Sequence, residues 1–294
     1  MSSYAVRDVL LKLLNLIILV LFAFICLYPL YFIFINSLSS ANAITKGVYF
    51  FPEGFSLDFY KKLLTMPNIP RSIFISVSRT VIGTLLTVMC STFFGFMVTQ
   101  RELPFRKWLY RFVIATMYFS AGLIPWYILM TNLGLKNNFL LYILPGAMAA
   151  FYVVLAKTYI ESIPPALEES AKIDGAGTLT IFFRIIVPVS LPIIACLIVF
   201  CAVNQWNSWA DNFYLVNNPR LSTLQFLLYM NLSSETSNIT NSNNASSSLL
   251  QSRAVSQMGL RYSLSMLTVI PIILVYPFMQ KYFVKGIMLG AIKG

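Results

Sequence analysis

Long apolar runs separated by more polar stretches dominate the chain. One helical crossing of a bilayer takes about 20 apolar residues, and six runs are long enough for that. They lie at residues 13–35, 72–99, 108–130, 138–160, 185–211 and 262–284. The pattern therefore predicts an all-α integral membrane protein with six transmembrane helices.

The positions of the basic residues predict the orientation of these helices. Six crossings place both termini on one side of the membrane, and more Lys and Arg residues lie on that side than on the other, notably in the 100–107 loop. Because cytoplasmic loops carry an excess of Lys and Arg, both termini are predicted to be cytoplasmic. Arg79 lies within the second run. We interpret it as a cation that snorkels to a membrane face or pairs with a neighbouring helix, rather than as a ligand contact.

Composition narrows the class of protein. Of the 294 residues, 58% are hydrophobic and 11% are charged, which excludes a disordered chain, a coiled coil and an ordinary soluble enzyme. The net charge of +11 is assigned to membrane orientation, so no nucleic-acid partner is expected. The chain has no histidine, and its four cysteines lie in apolar runs without a CxxC spacing. No metal site and no cofactor site are therefore predicted in this chain.

The polar segment 161–188 has a helical pattern of its own. Glu168 and Glu169 follow a Pro-Pro pair, where a carboxylate favours the positive end of a helix dipole. Gly175 and Gly177 permit the positive φ that ends a helix. The segment is longer than a simple connection needs. It is predicted to form a short helix, a glycine break and a second short helix, which together make a compact cytoplasmic knob.

The same segment carries a family resemblance. Glu169-Ser170-Ala171 is followed by three residues, Gly175, nine residues and the run 185–188, Ile-Ile-Val-Pro. This spacing resembles the EAA signature of ABC importer permeases, with Ser170 and Val187 as mild departures. The ending 280–294 resembles carbohydrate-uptake permeases of the MalG type, and residues 120–135 are similar to their LplC-like branch.

The resemblance implies a type I ABC importer permease fold. It implies a bacterial plasma-membrane, multi-pass permease subunit of an ATP-driven importer. The expected cargo is a sugar, with an oligosaccharide favoured, delivered by an extracellular solute-binding protein. An importer of amino acids or peptides is the alternative. The implied partners are a second, homologous permease chain, two cytoplasmic ATPase subunits that bind ATP and Mg²⁺, the binding protein and membrane lipid. The chain has no GxxxxGK[ST] loop and no catalytic constellation, so it is not predicted to be an enzyme.

These expectations divide the chain into two parts. Residues 1–71 would contain the first transmembrane helix and an outer loop, and residues 72–294 the permease core with five helices. The core would include the cytoplasmic coupling loop 161–188 and the extracellular loop 212–261. The outer loop contains an Asn/Ser-rich stretch, 231–248, which cannot build a core of its own. It is either a contact for the binding protein or a tolerated insertion.

Two sets of site residues follow. The residues expected to couple the permease to an ATPase are Glu168, Glu169, Ser170, Ala171, Asp174 and Gly175. The residues expected along the substrate path are Asn204, Gln205, Trp206, Asn207, Trp209, Tyr118, Trp126 and Tyr127. Aromatic rings and amides suit sugar binding through stacking and hydrogen bonds to hydroxyls. The alternative for the second set is an interfacial aromatic belt with amide contacts between helices.

Overall fold

The computed structural model describes residues 3–233 and 257–277, and every regular element within them is helical. The helices are α1 (Ser3–Ser37), α2 (Ala41–Lys46), α3 (Asp58–Thr65), α4 (Asn68–Met97), α5 (Arg106–Thr116), α6 (Leu123–Asn132), α7 (Ala150–Ile160), α8 (Ala166–Ile173), α9 (Thr178–Ile181), α10 (Val187–Val189), α11 (Leu191–Asn207), α12 (Ala210–Leu215), α13 (Leu224–Ser233) and α14 (Gln257–Pro277). Short 3₁₀ turns lie at Phe139–Tyr142 and Pro219–Leu221, and a π turn at Phe182–Ile186 joins α9 to α10.

The chain divides into two compact units, residues 1–66 with 231–270 and residues 67–230 with 271–294. In the first unit, polar contacts gather at the end of α1. The Asn36 amide donates to the Val48 carbonyl at 3.1 Å, and the Tyr60 hydroxyl donates to Ser37 Oγ at 2.8 Å. Ser263 Oγ of α14 lies 3.5 Å from the Ser37 carbonyl oxygen. These bonds hold α3 and α14 against the end of α1.

The second unit is built around α4, against which α7 and α11 pack. Gly95 permits the close approach of α7, because a Cβ there would lie 3.1 Å from both Ala156 Cβ and the Lys157 backbone nitrogen. Ala156 of α7 and Leu197 of α11 are fully buried in this core. Tight packing of small residues is a common way for membrane helices to associate.

Three helices in the described ranges are long and apolar enough to cross a membrane: Arg7–Ser37, Asn68–Met97 and Gln257–Pro277. The pair Thr178–Val189 and Leu191–Asn207, bent by 83°, would give a fourth if it is one span. All-helical architecture is thus confirmed for the described residues, whereas six crossings stay a prediction. The division into residues 1–71 and 72–294 also stays a prediction. Residues 234–256 and 278–294 lie outside the described ranges, with most of the Asn/Ser-rich stretch and the end of the sixth predicted span.

The predicted spans 108–130 and 138–160 are not continuous helices. The first is interrupted at 117–122, and the second at 143–149, around Pro145 and Gly146. Proline has no N–H to donate, which favours a break there. Side chains of α4 satisfy the freed backbone groups: Thr87 Oγ1 donates to the Gly146 carbonyl at 2.6 Å, and Ser91 Oγ accepts from the Ala149 N–H at 3.1 Å. A break inside an apolar run is tolerated because a neighbouring helix completes its hydrogen bonds.

The fifth predicted span also begins later than expected. The continuous helix starts at Leu191 rather than at residue 185, because the chain bends at Ser190. Pro192 disfavours helical geometry in the residue before it and cannot donate to the carbonyl of Pro188. Residues 185–189 therefore belong to the helical segment that precedes the bend.

Candidate functional site

The 161–188 segment folds as the predicted helix, glycine break and helix. The Ala176 N–H donates to the Ala171 carbonyl at 2.9 Å and the Gly175 N–H to the Lys172 carbonyl at 3.1 Å, the paired bonds of a Schellman cap. Gly175 has φ +77°, and a Cβ there would meet nothing within 4 Å. The backbone conformation, rather than lack of space, therefore demands glycine at this position.

Gly177 behaves differently. Its φ of −72° and ψ of 161° are extended values that any residue adopts. Gly177 therefore does not adopt the positive φ that a glycine permits. One left-handed residue is sufficient here, because the Schellman cap already reverses the chain before α9 begins at Thr178.

An apolar cluster anchors the α8–α9 segment to the ends of α4 and α7. Phe182 is fully buried, with its ring centroid 5.5 Å from that of Phe96 and 5.0 Å from that of Phe93. Ala171 and Ile160 belong to the same cluster. Ala171 therefore points inward and anchors α8, so it does not belong to the exposed face of the segment.

The opposite face of the segment is exposed. Glu169, Ser170, Asp174 and Gly175 are exposed, and Glu168 is half-buried. Ile173 is 86% exposed, which is unusual for so large an apolar side chain. Glu169 has no ion-pair partner within residues 3–233 and 257–277. Within the described ranges, the segment thus presents a carboxylate without an ion-pair partner and an exposed apolar side chain, on a support that is anchored by the apolar cluster.

Ion pairs connect α8 to the loop that follows α4. Lys172 Nζ lies 3.1 Å from a Glu102 carboxylate oxygen and 3.3 Å from one of Glu168. The hydrogen bond with Glu102 is the largest cause of a raised pKa at Lys172. A cleft of 420 Å³ lies between α8 and this loop, and Gln100 is among its lining residues.

A buried ion pair whose acidic partner the sequence did not specify lies elsewhere on α4. Arg79 is 3% exposed and forms a salt bridge with Asp211 through both terminal nitrogens. Its Nε donates to Gln205 Oε1 at 3.0 Å, and its guanidinium carbon lies 4.6 Å from the ring centroid of Tyr142. Arg79 therefore pairs with a neighbouring helix and does not snorkel. The available signal was that Asp211 is the only acidic residue within the six predicted spans.

The predicted substrate-path residues of α11 and its end lie in separate surroundings. Gln205 is engaged by Arg79, and Asn204 Nδ2 donates to the Tyr152 hydroxyl at 3.2 Å. Trp209 stacks on Tyr229 with ring centroids 3.9 Å apart. Trp206 is half-buried, whereas Asn207 is exposed.

The aromatic residues of the third predicted span have other neighbours. Tyr118 is 81% exposed in the break between α5 and α6. Trp126 packs against the apolar cluster that contains Leu141, and the Tyr127 hydroxyl accepts from Lys136 Nζ at 3.1 Å. The structure therefore does not gather the eight predicted residues into one site, and their role in the substrate path stays a prediction.

Fold and sequence together define the class of protein as an inner-membrane transport component. Residues 91–289 match the family model described as "Binding-protein-dependent transport system inner membrane component". The chain belongs to this family of transport permeases. The resemblance to ABC importer permeases is thereby confirmed.

Similar proteins narrow the branch of the family. The chain is 35% identical over 286 residues to the polygalacturonan/rhamnogalacturonan transport system permease protein YtcP of Bacillus subtilis, which covers 94% of this chain and 96% of that protein. It is 32% identical over 271 residues to protein LplC of the same organism, covering 92% and 90%.

A solved structure extends the likeness to three dimensions. A chain of a bacterial ABC transporter involved in the import of the acidic polysaccharide alginate matches with a TM-score of 0.84 and 28% identity. The match covers 96% of this chain and 99% of that one. The fold is therefore shared over almost the entire length.

Proposed function

We propose that this chain is the membrane-spanning permease subunit of an ATP-driven importer of a sugar, with an oligosaccharide favoured. The observation that carries the proposal is the 35% identity to a polygalacturonan/rhamnogalacturonan permease over 94% of the chain. The alginate transporter, whose fold this chain shares, also imports a saccharide. These relatives disfavour the amino-acid or peptide alternative.

The substrate we favour within this class carries carboxylates. One relative transports polygalacturonan and rhamnogalacturonan, and the structural neighbour takes part in import of the acidic polysaccharide alginate. All three polymers contain uronic acids, which are anionic at neutral pH. An extracellular binding protein would deliver the oligosaccharide, in keeping with the family's dependence on binding proteins.

The proposed assembly needs further chains. This permease would pair with a second, related permease, and two cytoplasmic ATPases would bind ATP and Mg²⁺. The chain itself would bind no cofactor or metal. Six crossings of the bacterial plasma membrane would leave both termini and the 161–188 segment in the cytoplasm. The 212–261 loop would then lie outside, where part of it would contact the binding protein.

The α8–α9 segment is the proposed contact with one ATPase. Its exposed face offers Glu169 for a charge-assisted hydrogen bond, and Ile173 and Leu179 for apolar contact. The glycine break makes the segment a compact wedge, which suits insertion into a groove on a soluble partner. Closure of the two ATPases would push this wedge.

The anchor of the wedge supports transmission of that push. Phe182 and Ala171 pack on the ends of α4 and α7, and α11 packs along α4. A displacement of α8 would therefore move these helices together, because packed interiors shift as units rather than deform continuously. A central cavity would then open alternately outward and inward.

Uptake by the reconstituted four-component transporter tests the substrate class. Liposomes containing both permeases and the ATPases, with the matching binding protein outside, should take up a labelled galacturonate oligosaccharide when ATP is inside. A neutral glucose oligosaccharide and a peptide are the matched cargoes. Uptake of the peptide alone would refute the sugar assignment, and uptake of the neutral oligosaccharide alone would refute the acidic one.

A further inference from the structure

The break between α11 and α12 is held by one side chain of α4. Helix α11 ends at Asn207, Ser208 is extended and α12 begins at Ala210. Arg79 Nη1 donates to the Ser208 carbonyl at 3.2 Å, and both terminal nitrogens of Arg79 bind Asp211 in the first turn of α12. Arg79 Nε also donates to Gln205 in the last turn of α11. A single guanidinium thus contacts the helix before the break, the break itself and the helix after it.

A gain in folding stability does not by itself explain why a buried ion pair holds this break. The side chains of Arg79 and Asp211 are only 4% and 13% exposed, so both charges lose most of their hydration. A buried ion pair is often no more stabilising than a well-packed apolar pair of similar volume. What the apolar pair lacks is direction, because the planar fork of arginine fixes several acceptors in one geometry.

A second anchor on the same face of α4 holds the next part of the chain. Ser76 Oγ accepts from the Leu224 N–H at 2.8 Å, at the start of α13. Ser76 and Arg79 are three residues apart, so they lie on one side of the helix. Asn212 Oδ1 accepts from the Thr223 N–H at 2.7 Å and links α12 to that start. Two neighbouring positions of α4 therefore set the geometry of both α12 and α13.

The two anchored elements carry a stacked aromatic pair. Trp209 lies in the break held by Arg79, and Tyr229 lies on the helix held by Ser76. Their rings are 3.9 Å apart and nearly parallel, and the Phe213 ring meets both edge to face. The orientation of this pair depends on both anchors.

We propose that Arg79 and Asp211 are positioning residues for the transport path, because they fix the α11–α12 break and thereby orient the Trp209–Tyr229 pair. This inference rests on the proposed transport function. It assigns no substrate contact to Arg79, which is buried and whose three nitrogens already donate to Gln205, Ser208 and Asp211. It assigns to the ion pair the orientation of a half-buried aromatic pair, a kind of side chain that can stack on a sugar ring.

The double substitution Arg79→Met/Asp211→Leu tests the proposal in the assembled transporter. It removes both charges, so the permease should reach the membrane at the parent level. The break, however, loses the three nitrogen donors of Arg79. We expect uptake to fall about tenfold. We also expect acrylamide quenching of Trp209 fluorescence to rise about twofold, since an unheld ring is more accessible. The fluorescence of Trp209 is obtained by subtracting the signal of the matching Trp209→Phe transporter, because the chain contains other tryptophans.

Two further variants complete the experiment. Arg79→Lys keeps the charge and preserves the fold but loses the fork, so it should show an intermediate loss of uptake and intermediate quenching. The matched control is Arg111→Gln, which removes an exposed arginine of α5 and should change neither quantity.

Unchanged uptake and unchanged Trp209 quenching in the double variant or in Arg79→Lys would overturn the proposal. Reduced uptake with unchanged quenching would also overturn it, because the ion pair would then act without orienting Trp209. Failure of the proposed function can be distinguished from failure of this inference. In the first case the parent transporter would take up no sugar, whereas the quenching comparison would still be measurable.

Discussion

Two regions of the second compact unit are attached to α4 by opposite chemistry. The α8–α9 segment is attached to the C-terminal end of α4 by apolar packing, chiefly of Phe182 on Phe96. The α11–α12 break is attached to the N-terminal half of α4 by the buried ion pair of Arg79 and Asp211. Apolar packing is non-directional, whereas an arginine fork is directional. Under the proposed function, the first contact transmits displacement and the second preserves local geometry.

Leaving one charge of the buried pair unpaired should have the largest effect. Asp211→Leu alone would bury the Arg79 guanidinium without its carboxylate. The expected cost is about 3–5 kcal/mol of stability, seen as a strong loss of mature protein in the membrane and a large drop in Tm of the purified complex. The double variant with Arg79→Met should recover most of that Tm. If the single and double variants have equal Tm, the ion pair is not what holds the break.

Removing the apolar anchor should have the next largest effect. Phe182→Ala deletes a fully buried ring and should cost about 3 kcal/mol, measured again as a lower Tm of the complex. The matched control is Phe183→Ala, because the neighbouring ring is half exposed. A smaller loss for Phe182 than for Phe183 would contradict the assignment of the anchor.

The exposed ion pairs of α8 should contribute least. Lys172→Met removes the pairs with Glu102 and Glu168 and should cost under about 1 kcal/mol. The hydrogen bond with Glu102 raises the pKa of Lys172 above its ordinary value of 10.5. This small stabilisation is therefore present below that value and lost as the pH rises through the raised one. A Tm decrease as large as that of Phe182→Ala would show that these pairs, rather than the aromatic anchor, hold α8.

The same contrast explains what the sequence could predict. The α8–α9 turn was predictable because its signals, the prolines, the acidic first turn and Gly175, are close together in the chain. The ion pair joins residues 132 positions apart, and no local pattern specifies such a partner. Hydropathy alone also missed the break at Pro145, since the hydrogen bonds that make it tolerable come from Thr87 and Ser91 on another helix.

The central claim is that a glycine-dependent wedge couples this permease to separate ATPases. The most direct test compares Gly175→Val with Gly177→Val in the reconstituted transporter, measuring the ATPase activity stimulated by loaded binding protein together with sugar uptake. Valine is strained at the φ of +77° of Gly175 but compatible with the extended backbone of Gly177. The account predicts normal membrane levels for both variants, an about tenfold loss of stimulation and uptake for Gly175→Val, and near-parental values for Gly177→Val. Normal uptake with intact ATPase coupling in Gly175→Val would contradict it.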